Sequence, residues 1–187
     1  MIRTYKYRLS PANAQDCVLR FLLQQGRLLY NAPLEQRITT YKATGKSVTY
    51  TPPWAFFRDL RHATPDTLGK LNATSVQQML RRLDKAFRAF FRRLKAGEKP
   101  GFPRFKGHNR FKSLECRYDD GCKLRTDERG RKLCYVQNVG EIKVKYHRPL
   151  VGGSPLHRRT CEISVTNPLL KAYSPTCSTS SPICVLL

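Results

Sequence analysis

The sequence predicts an α+β protein in which a helical bundle is inserted between the first strand and the rest of a small β-barrel. Three observations support this class: alternating residues at 2–9, helical periodicity from Pro11 to Ala96, and renewed strand periodicity after Gly101. The chain has 187 residues, enough for one compact domain or two small ones. Its 35 Lys and Arg against 13 Asp and Glu give a net charge of +22, which favours a polyanionic partner.

The first strand and the helix after it are predicted from local pattern. Apolar side chains alternate with cations along residues 2–9, as in a half-buried strand. Ser10 followed by Pro11 indicates a helix N-cap with proline at the first helical position. Helical spacing continues from there to about Asn31.

Pro33 is predicted to interrupt this helix, because proline has no N–H to donate within a helix. A second helical stretch is expected over 34–43, with Gly45 as its C-terminal cap. After a loop, residues 54–62 have the pattern of a short helix.

The clearest predicted helix covers Thr74–Ala96, with Thr74 or Ser75 as its cap and Gly97 and Pro100 ending it. Its apolar residues fall within a sector of roughly 100° on a helical wheel. They are Val76, Leu80, Leu83, Phe87, Phe90, Phe91 and Leu94. Its cations fall on the opposite half, and are Arg81, Arg82, Lys85, Arg88, Arg92, Arg93 and Lys95.

A helix with this distribution is typical of a surface that follows phosphates. The alternative is a solvated helix face, but such faces pair cations with acids at i,i+4, and only Asp84 and the more distant Glu98 are nearby. We therefore favour nucleic acid. Gln77 and Gln78 lie at the start of the helix, where an amide can reach a base edge, although each taken singly fits an ordinary surface glutamine.

The segment GFPRFKGHNRF interleaves aromatic residues with cations. Its aromatic rings could stack on bases, but we favour a structural role for Phe102 and Phe105 as anchors of the connection between subdomains. The cations are predicted to contact the nucleic-acid backbone, and they are Arg104, Lys106, Arg110 and Lys112.

The rest of the chain is predicted to be mainly strand. Residues 122–135 read as a hairpin with its turn at 127–130, and alternation at 142–147 predicts a strand with one basic face. Residues 151–170 could add one more strand. Residues 171–187 are rich in Ser, Thr, Pro and Cys, and are predicted to form a disordered tail.

No catalytic or cofactor motif is found, so the sequence predicts binding and no enzyme activity. The acidic residues are scattered, the four His form no metal-binding spacing, and the seven Cys contain no CxxC pair. There is no signal peptide and no apolar run that could span a membrane. We expect a cytoplasmic protein without metal, cofactor, small-molecule substrate or membrane partner.

An ordered set of motifs resembles the TnpB family, the OrfB-type proteins of insertion sequences. The set is YKYRLSP, RLLYNAPLEQRITTYKATGK, QQMLRRLDKAFRAFFRR, GFPRFK, GCKL and GEIKVKYHRPL. The resemblance covers about residues 1–150. It implies an RNA-guided DNA endonuclease, historically called a transposase, whose partners are DNA and a guide RNA.

The resemblance also implies a domain organisation. A wedge domain, an OB-like β-barrel, would comprise residues 1–10 and 98–150, split by a helical recognition domain, long assigned as helix-turn-helix, at 11–97. In relatives a tyrosine, a glutamine and a hydroxyl residue read a short DNA motif, and these map to Tyr50, Gln77 and Ser113. A lysine of some relatives falls near Ala73 here, so the motif that is read would differ.

The family's RuvC-like nuclease part, its metal-binding acids and its zinc-binding insert do not follow the barrel in this sequence. Without them no Mg or Zn site is expected. The family pattern is lost soon after Leu150, which suggests a truncated or frameshifted gene. The chain would then be a binding half, either an inert nucleic-acid-binding fragment of a decayed element or a recognition subunit for a separately encoded nuclease.

Overall fold

The computed structural model describes residues 6–45, 54–147, 160–165 and 183–186, and it confirms the α+β class. The helices are α1 (Asn13–Thr44), α2 (Trp54–Ala63) and α3 (Ala73–Lys95). The strands are β1 (Lys6–Ser10), β2 (Ser113–Tyr118), β3 (Gly121–Thr126), β4 (Lys132–Val136), β5 (Gly140–Lys145), β6 (Thr160–Val165) and β7 (Ile183–Leu186). Short 3-10 helices lie at Leu68–Lys70 and His108–Arg110.

The chain divides into two compact units. The β unit comprises Met1–Leu23 with Lys112–Leu187, and the helical unit comprises Gln24–Phe111. The β unit contains the described strands and the first part of α1. The helical unit contains α2, α3 and the larger part of α1, because the boundary between the units falls inside that helix.

The strands of the β unit form one curved sheet in the order β1-β5-β4-β3-β2-β6-β7. The two end strands also pair with each other, as Tyr7 lies opposite Val185, and this pairing closes the sheet. The neighbours are antiparallel except β2 and β3, which are bridged in parallel over two residue pairs. Asp119 in the connection between those strands has a φ of 70°, a left-handed conformation that aspartate tolerates better than most residues.

The predicted alternation of the strands is confirmed. In β1 the side chains of Tyr7 and Leu9 are buried while their neighbours are exposed, and in β5 Ile142 is buried between exposed positions. The interior of the β unit is built from apolar residues of most strands. Those that are buried are Tyr7, Leu9, Leu114, Cys116, Cys122, Cys134, Val136, Ile142 and Ile163.

The predicted hairpin is also confirmed, with β3 and β4 in antiparallel register around a turn that starts at Asp127. The Asp127 carboxylate accepts hydrogen bonds from the N–H groups of Arg129 (3.1 Å) and Arg131 (2.7 Å). Gly130 has a φ of 74°, which suits glycine. Desolvation raises the pKa of Asp127, but the hydrogen bonds from Arg131 and Arg129 outweigh it and hold that pKa below its usual value.

The prediction that Pro33 separates two helices is wrong, because α1 runs through it from Asn13 to Thr44. A proline inside a helix removes one hydrogen bond and crowds the preceding turn. Here Pro33 lies in a buried segment, and the adjacent side chains of Tyr30 and Leu34 are 3% and 0% exposed. Burial of this face stabilises the helix against the local cost of the proline.

The predicted start of α1 is corrected as well. Ser10 belongs to β1, and the helix begins at Asn13 after Ala12, whose carbonyl accepts the first helical hydrogen bond from Asp16. The side-chain carbonyl of Gln15 accepts a hydrogen bond from the Ala12 N–H at 3.0 Å, as in one half of a capping box. At the other end Gly45 has a φ of 66°, which confirms it as the predicted cap.

The cap of α3 is Asn72, not Thr74 or Ser75. Its side-chain carbonyl accepts hydrogen bonds from the Thr74 N–H at 2.7 Å and the Ser75 N–H at 3.3 Å. Asparagine is among the best N-cap residues, and here it precedes the predicted start of the helix by two residues. At the other end Gly97 has a φ of 74°, which suits its predicted role in ending the helix.

The buried side of α3 differs in part from the predicted apolar sector. Met79, which the prediction omitted, is fully buried, whereas Leu94 is 54% exposed. The buried line follows Val76, Met79, Leu83 and Phe87 at helical spacing. No helix in the described residues is long and apolar enough to cross a membrane.

The predicted disordered tail is wrong for residues 183–186, which form β7 and pair with both β1 and β6. β6 lies within 151–170, the range that could add a strand. It pairs with β2 over five residue pairs. The remaining residues of 171–187 lie outside the described part of the chain.

We expect Asn72→Ala to destabilise the protein by about 1 kcal/mol, because two N–H groups at the start of α3 would lose their acceptor. The measurement is the free energy of unfolding in urea, followed by far-UV circular dichroism. Asn72→Ser keeps an acceptor and serves as the control, with a change below about 0.5 kcal/mol. Equal stability of the alanine variant and the wild type would contradict this role for Asn72.

Candidate nucleic-acid interface

The exposed side of α3 carries a line of cations, the basic stripe, made of Arg81, Lys85, Arg88, Arg92 and Lys95. At about 100° per residue these positions fall within a sector of roughly 80°, opposite the buried line. All five side chains are exposed. From the first to the last, the stripe is about 21 Å long at ~1.5 Å per residue.

None of the five cations of the stripe forms an ion pair with an acidic residue within the described residues. Asp84 is the one acidic residue in the sequence of α3. Its carboxylate lies 3.7 Å from Nη1 of Arg37 in α1. The positive charge of the stripe is therefore not compensated by its own helix.

Arg37 is held by two contacts, the ion pair with Asp84 and the ring of Phe87, whose centroid is 3.7 Å from the guanidinium carbon. Its side chain is only 9% exposed. Burial lowers the pKa of Arg37, and the charge of Asp84 raises it in part. Arginine nevertheless stays protonated at neutral pH.

Two cations predicted on the basic face lie beside the stripe, about 60° (Arg82) and 80° (Arg93) around the helix from its nearest member. Arg82 is half-buried, with its guanidinium carbon 5.8 Å from the centroid of the Phe111 ring. Burial raises the pKa of Tyr30, and the nearby charge of Arg82 partly offsets that rise. Arg93 is exposed and lies 3.8 Å from the carboxylate of Glu98.

The connection at 101–107 is tied to α1 by one asparagine. The Asn31 side-chain amide donates to the carbonyl of Lys106 at 3.0 Å, and its oxygen accepts from the Lys106 N–H at 2.9 Å. Lys106 also places its ammonium 5.9 Å from the centroid of the Tyr30 ring. Arg104 and Arg110 are exposed in the same connection, and Lys112, just after it, is exposed as well.

Phe102 and Phe105 occupy different surroundings, although their exposures of 44% and 47% are similar. Phe102 packs edge-on against Phe87 at 5.7 Å and Phe90 at 5.2 Å, measured between ring centroids. This contact holds the start of the connection against α3, within the helical unit, and the role of Phe102 between subdomains stays a prediction. Phe105 has no ring contact within the described part of the chain.

The three residues that the resemblance assigns to DNA-motif reading are not found in one unit. Gln77 is half-buried in the first turns of α3, in the angular sector of the basic stripe, and Ala73 is the first residue of that helix. Ser113 begins β2 in the β unit. Tyr50 lies outside the described residues. Their role in reading a motif stays a prediction.

In the described part of the β unit, the acids and thiols are not grouped as a metal site requires. Among the described residues no group of three or more His, Cys, Asp or Glu is placed to hold a metal ion. Asp119 pairs with Lys123, at 2.6 Å. The Sγ atoms of Cys122 and Cys134 are 3.5 Å apart, and their hydrogen bond together with burial raises the pKa of the Cys134 thiol far above its usual range.

Asn31 and Arg37 were not predicted from the sequence as residues that support the site. Each acts on a partner far away in the chain, 75 residues in the case of Asn31, so no local spacing rule could have found them. Asn31 offered a hint, because it is a polar residue between the buried Leu29 and Leu34, whereas Arg37 follows the exposed Glu35 and Gln36 and offered none.

Comparison with known proteins agrees with the motifs. Residues 1–46 match a family model described as a helix-turn-helix domain, HTH_OrfB_IS605. Within the described part of this match, the chain forms β1 and the continuous helix α1.

Two curated proteins align with most of the chain. "Putative RNA-guided DNA endonuclease InsQ" of Escherichia coli (strain K12) is 26% identical over 152 residues, and a "Putative RNA-guided DNA endonuclease" of Streptomyces pristinaespiralis is 24% identical over 153 residues. Each alignment covers 81% of this chain, and the chain spans 35% and 36% of the length of these relatives. These matches confirm the predicted resemblance to the OrfB-type proteins of insertion sequences.

Proposed function

We propose that this chain binds nucleic acid through the basic stripe of α3. The observation that carries the proposal is the separation of charge on that helix. Five exposed cations lie on one face without an ion pair in the described residues, while the acid of the helix is paired with Arg37 from α1. A phosphate backbone is the ligand that neutralises such a line, with counterion release as the driving force.

The stripe has the dimensions of a short run of phosphates. Its length of about 21 Å corresponds to about six nucleotides along one strand of duplex, at 3.4 Å each. Its cations follow one another at i+3 or i+4, so each lies about 5–6 Å from the next. The contact with the nucleic-acid backbone would be extended by six further cations, which are Arg82, Arg93, Arg104, Lys106, Arg110 and Lys112.

We propose DNA and a guide RNA as the partners, in keeping with the similarity to RNA-guided endonucleases. In this proposal Gln77 reads a base of a short DNA motif, together with Tyr50 and Ser113. The position of Gln77 supports its part, because it lies in the sector of the stripe near the helix start. Phosphate contacts by the stripe would then set the register of the amide on the base edge.

The contribution of this chain is proposed to be binding and not cleavage. In the residues that the structure describes, several acids pair with cations, as Asp127 does with Arg131 at 2.6 Å, and no potential metal cluster is formed. The stripe acts through protein cations, which need no metal ion as a bridge to phosphate. Neither Mg nor Zn is required for this role.

We expect the nucleic-acid affinity of the triple variant Arg81→Gln, Lys85→Gln, Arg88→Gln to depend much less on salt concentration than that of the wild type. Each lost phosphate contact should lower the slope of log affinity against log salt by about 0.7 to 0.9, so three should lower it by roughly 2 to 3. Fluorescence anisotropy with duplex DNA and single-stranded RNA between 50 and 200 mM salt measures the slope.

The matched control for the triple variant is Lys42→Gln, Arg58→Gln, Arg129→Gln, which removes the same charge at exposed positions on other elements. Its slope should change by less than about 1. The stripe proposal fails if the two variants lose the same slope, because binding would then follow net charge only.

Gln77→Ala is expected to reduce the preference for a preferred DNA motif by about 1–3 kcal/mol and leave non-specific affinity unchanged, because a base-edge contact would be lost. The preferred motif would be obtained by selection from a randomised duplex library with the wild-type protein. Gln78→Ala is the control, since its side chain points about 100° away around the helix. A selection that recovers no motif would favour a non-specific fragment.

Affinity for DNA and RNA should be the same in EDTA and in Mg²⁺ at equal ionic strength, to within about twofold after correction for the stronger screening by a divalent ion. The same titrations measure this, with incubation of labelled duplex in Mg²⁺ as the test for cutting. Cleavage by the purified chain, absent from a mock purification, would overturn the proposal that it only binds.

A further inference from the structure

The aromatic ring of Phe105 is exposed at a position where the chain is held in place. The ring is 47% exposed and has no ring or cation contact within the described residues, in contrast to Phe102 in the same connection. A scattered apolar residue on a surface needs no explanation in itself. Phe105 differs from such a scattered residue in two respects, the fixed backbone beside it and the cations around it.

The backbone next to Phe105 is fixed from outside the connection. The N–H of the peptide that joins Phe105 to Lys106 donates to the Asn31 oxygen, and the Lys106 carbonyl accepts from the Asn31 amide. This pair of bonds resembles the pairing of two strands and spans 75 residues of sequence. On the other side, Pro103 restricts φ two residues before the ring. Because the backbone around Phe105 is already ordered, little backbone entropy would be lost when the ring binds a partner.

The charge around the ring selects the kind of partner. Arg104 and Arg110 are exposed, Lys106 is adjacent, and no acidic residue occurs between Glu98 and Glu115. An apolar protein partner would have to bury these cations without counter-charges, which is costly. A single-stranded nucleic acid offers a flat π-face for the ring and phosphates for the cations at the same time.

We propose that Phe105 is a stacking site for an unpaired base of a single-stranded nucleic acid, and that Asn31 is its positioning residue. This inference rests on the proposed nucleic-acid binding and adds a second contact of different chemistry. A base inside a duplex already stacks on both faces, so the site discriminates between single and double strands. It assigns to Phe105 a role distinct from the anchoring role of Phe102.

The first test compares Phe105→Ala with Phe105→Trp in the full chain, using a single-stranded RNA, a single-stranded DNA and a duplex. Loss of one stacked base should weaken single-strand binding by about 5- to 150-fold, with duplex binding unchanged within about twofold. Phe105→Trp should keep single-strand binding, because indole also stacks. Leu28→Ala is the control, since Leu28 is 46% exposed on α1 and its loss should change neither affinity.

A fluorescent base locates the contact directly. With 2-aminopurine placed at successive positions of the single strand, the wild type should change the emission at one position and Phe105→Ala should abolish that change. Equal weakening of duplex and single-strand binding by Phe105→Ala would overturn the proposal, because the ring would then insert into paired bases.

The same experiment separates this inference from the proposed function. If Phe105→Ala binds single strands like the wild type while the triple variant of the stripe has lost its salt-dependent binding, stacking is refuted and the proposed function stands. If the wild-type chain binds no nucleic acid, or if the stripe variant and its control bind alike, the proposed function itself fails.

The positioning role of Asn31 is tested with a double-mutant cycle. Asn31→Ala should weaken single-strand binding, and adding Phe105→Ala should weaken it by less than about twofold more, because the ring is already displaced. Fully additive losses would show that Asn31 acts independently of the ring. Unchanged duplex binding by Asn31→Ala distinguishes this role from general loss of structure.

Discussion

The ion pair between Arg37 of α1 and Asp84 of α3 joins the packing of the helical unit to the charge of its surface. Arg37 is almost fully buried, and it contacts both the Asp84 carboxylate and the face of the Phe87 ring. A buried guanidinium is costly unless it is paired, so the two helices are held where the pair can form. The one acid of α3 is thus paired with Arg37 from α1, while Arg81, Lys85 and Arg88 form no ion pair within the described residues.

Much of the fold was predictable because its signals are local. Alternation predicted the burial of Tyr7 and Leu9, and helical periodicity predicted α3 to within a residue at each end. The failures occurred where distant parts of the chain decide. Burial around Pro33 keeps α1 continuous against the preference of proline, and pairing with β1 and β6 makes a strand of residues 183–186, an apolar run without strand alternation.

The candidate site was likewise predictable where its signals are local, and not predictable where distant parts of the chain decide. The basic stripe followed from the spacing of cations, since helix geometry converts sequence distance into direction. Asn31 could not be predicted, because its hydrogen-bond partner is 75 residues away. The different surroundings of Phe102 and Phe105 could not be read from two phenylalanines three residues apart. That difference depends on which ring meets Phe87 and Phe90.

In the unbound protein, the uncompensated charge of the stripe destabilises α3. Neighbouring cations at i+3 and i+4 repel each other, and each such pair weakens a helix by roughly 0.2–0.5 kcal/mol. Added salt screens this repulsion, so the ionic conditions that would release the proposed nucleic acid would also stabilise the protein without its ligand. In the proposed function, a bound polyanion and dissolved salt would therefore supply the same counter-charge to the stripe.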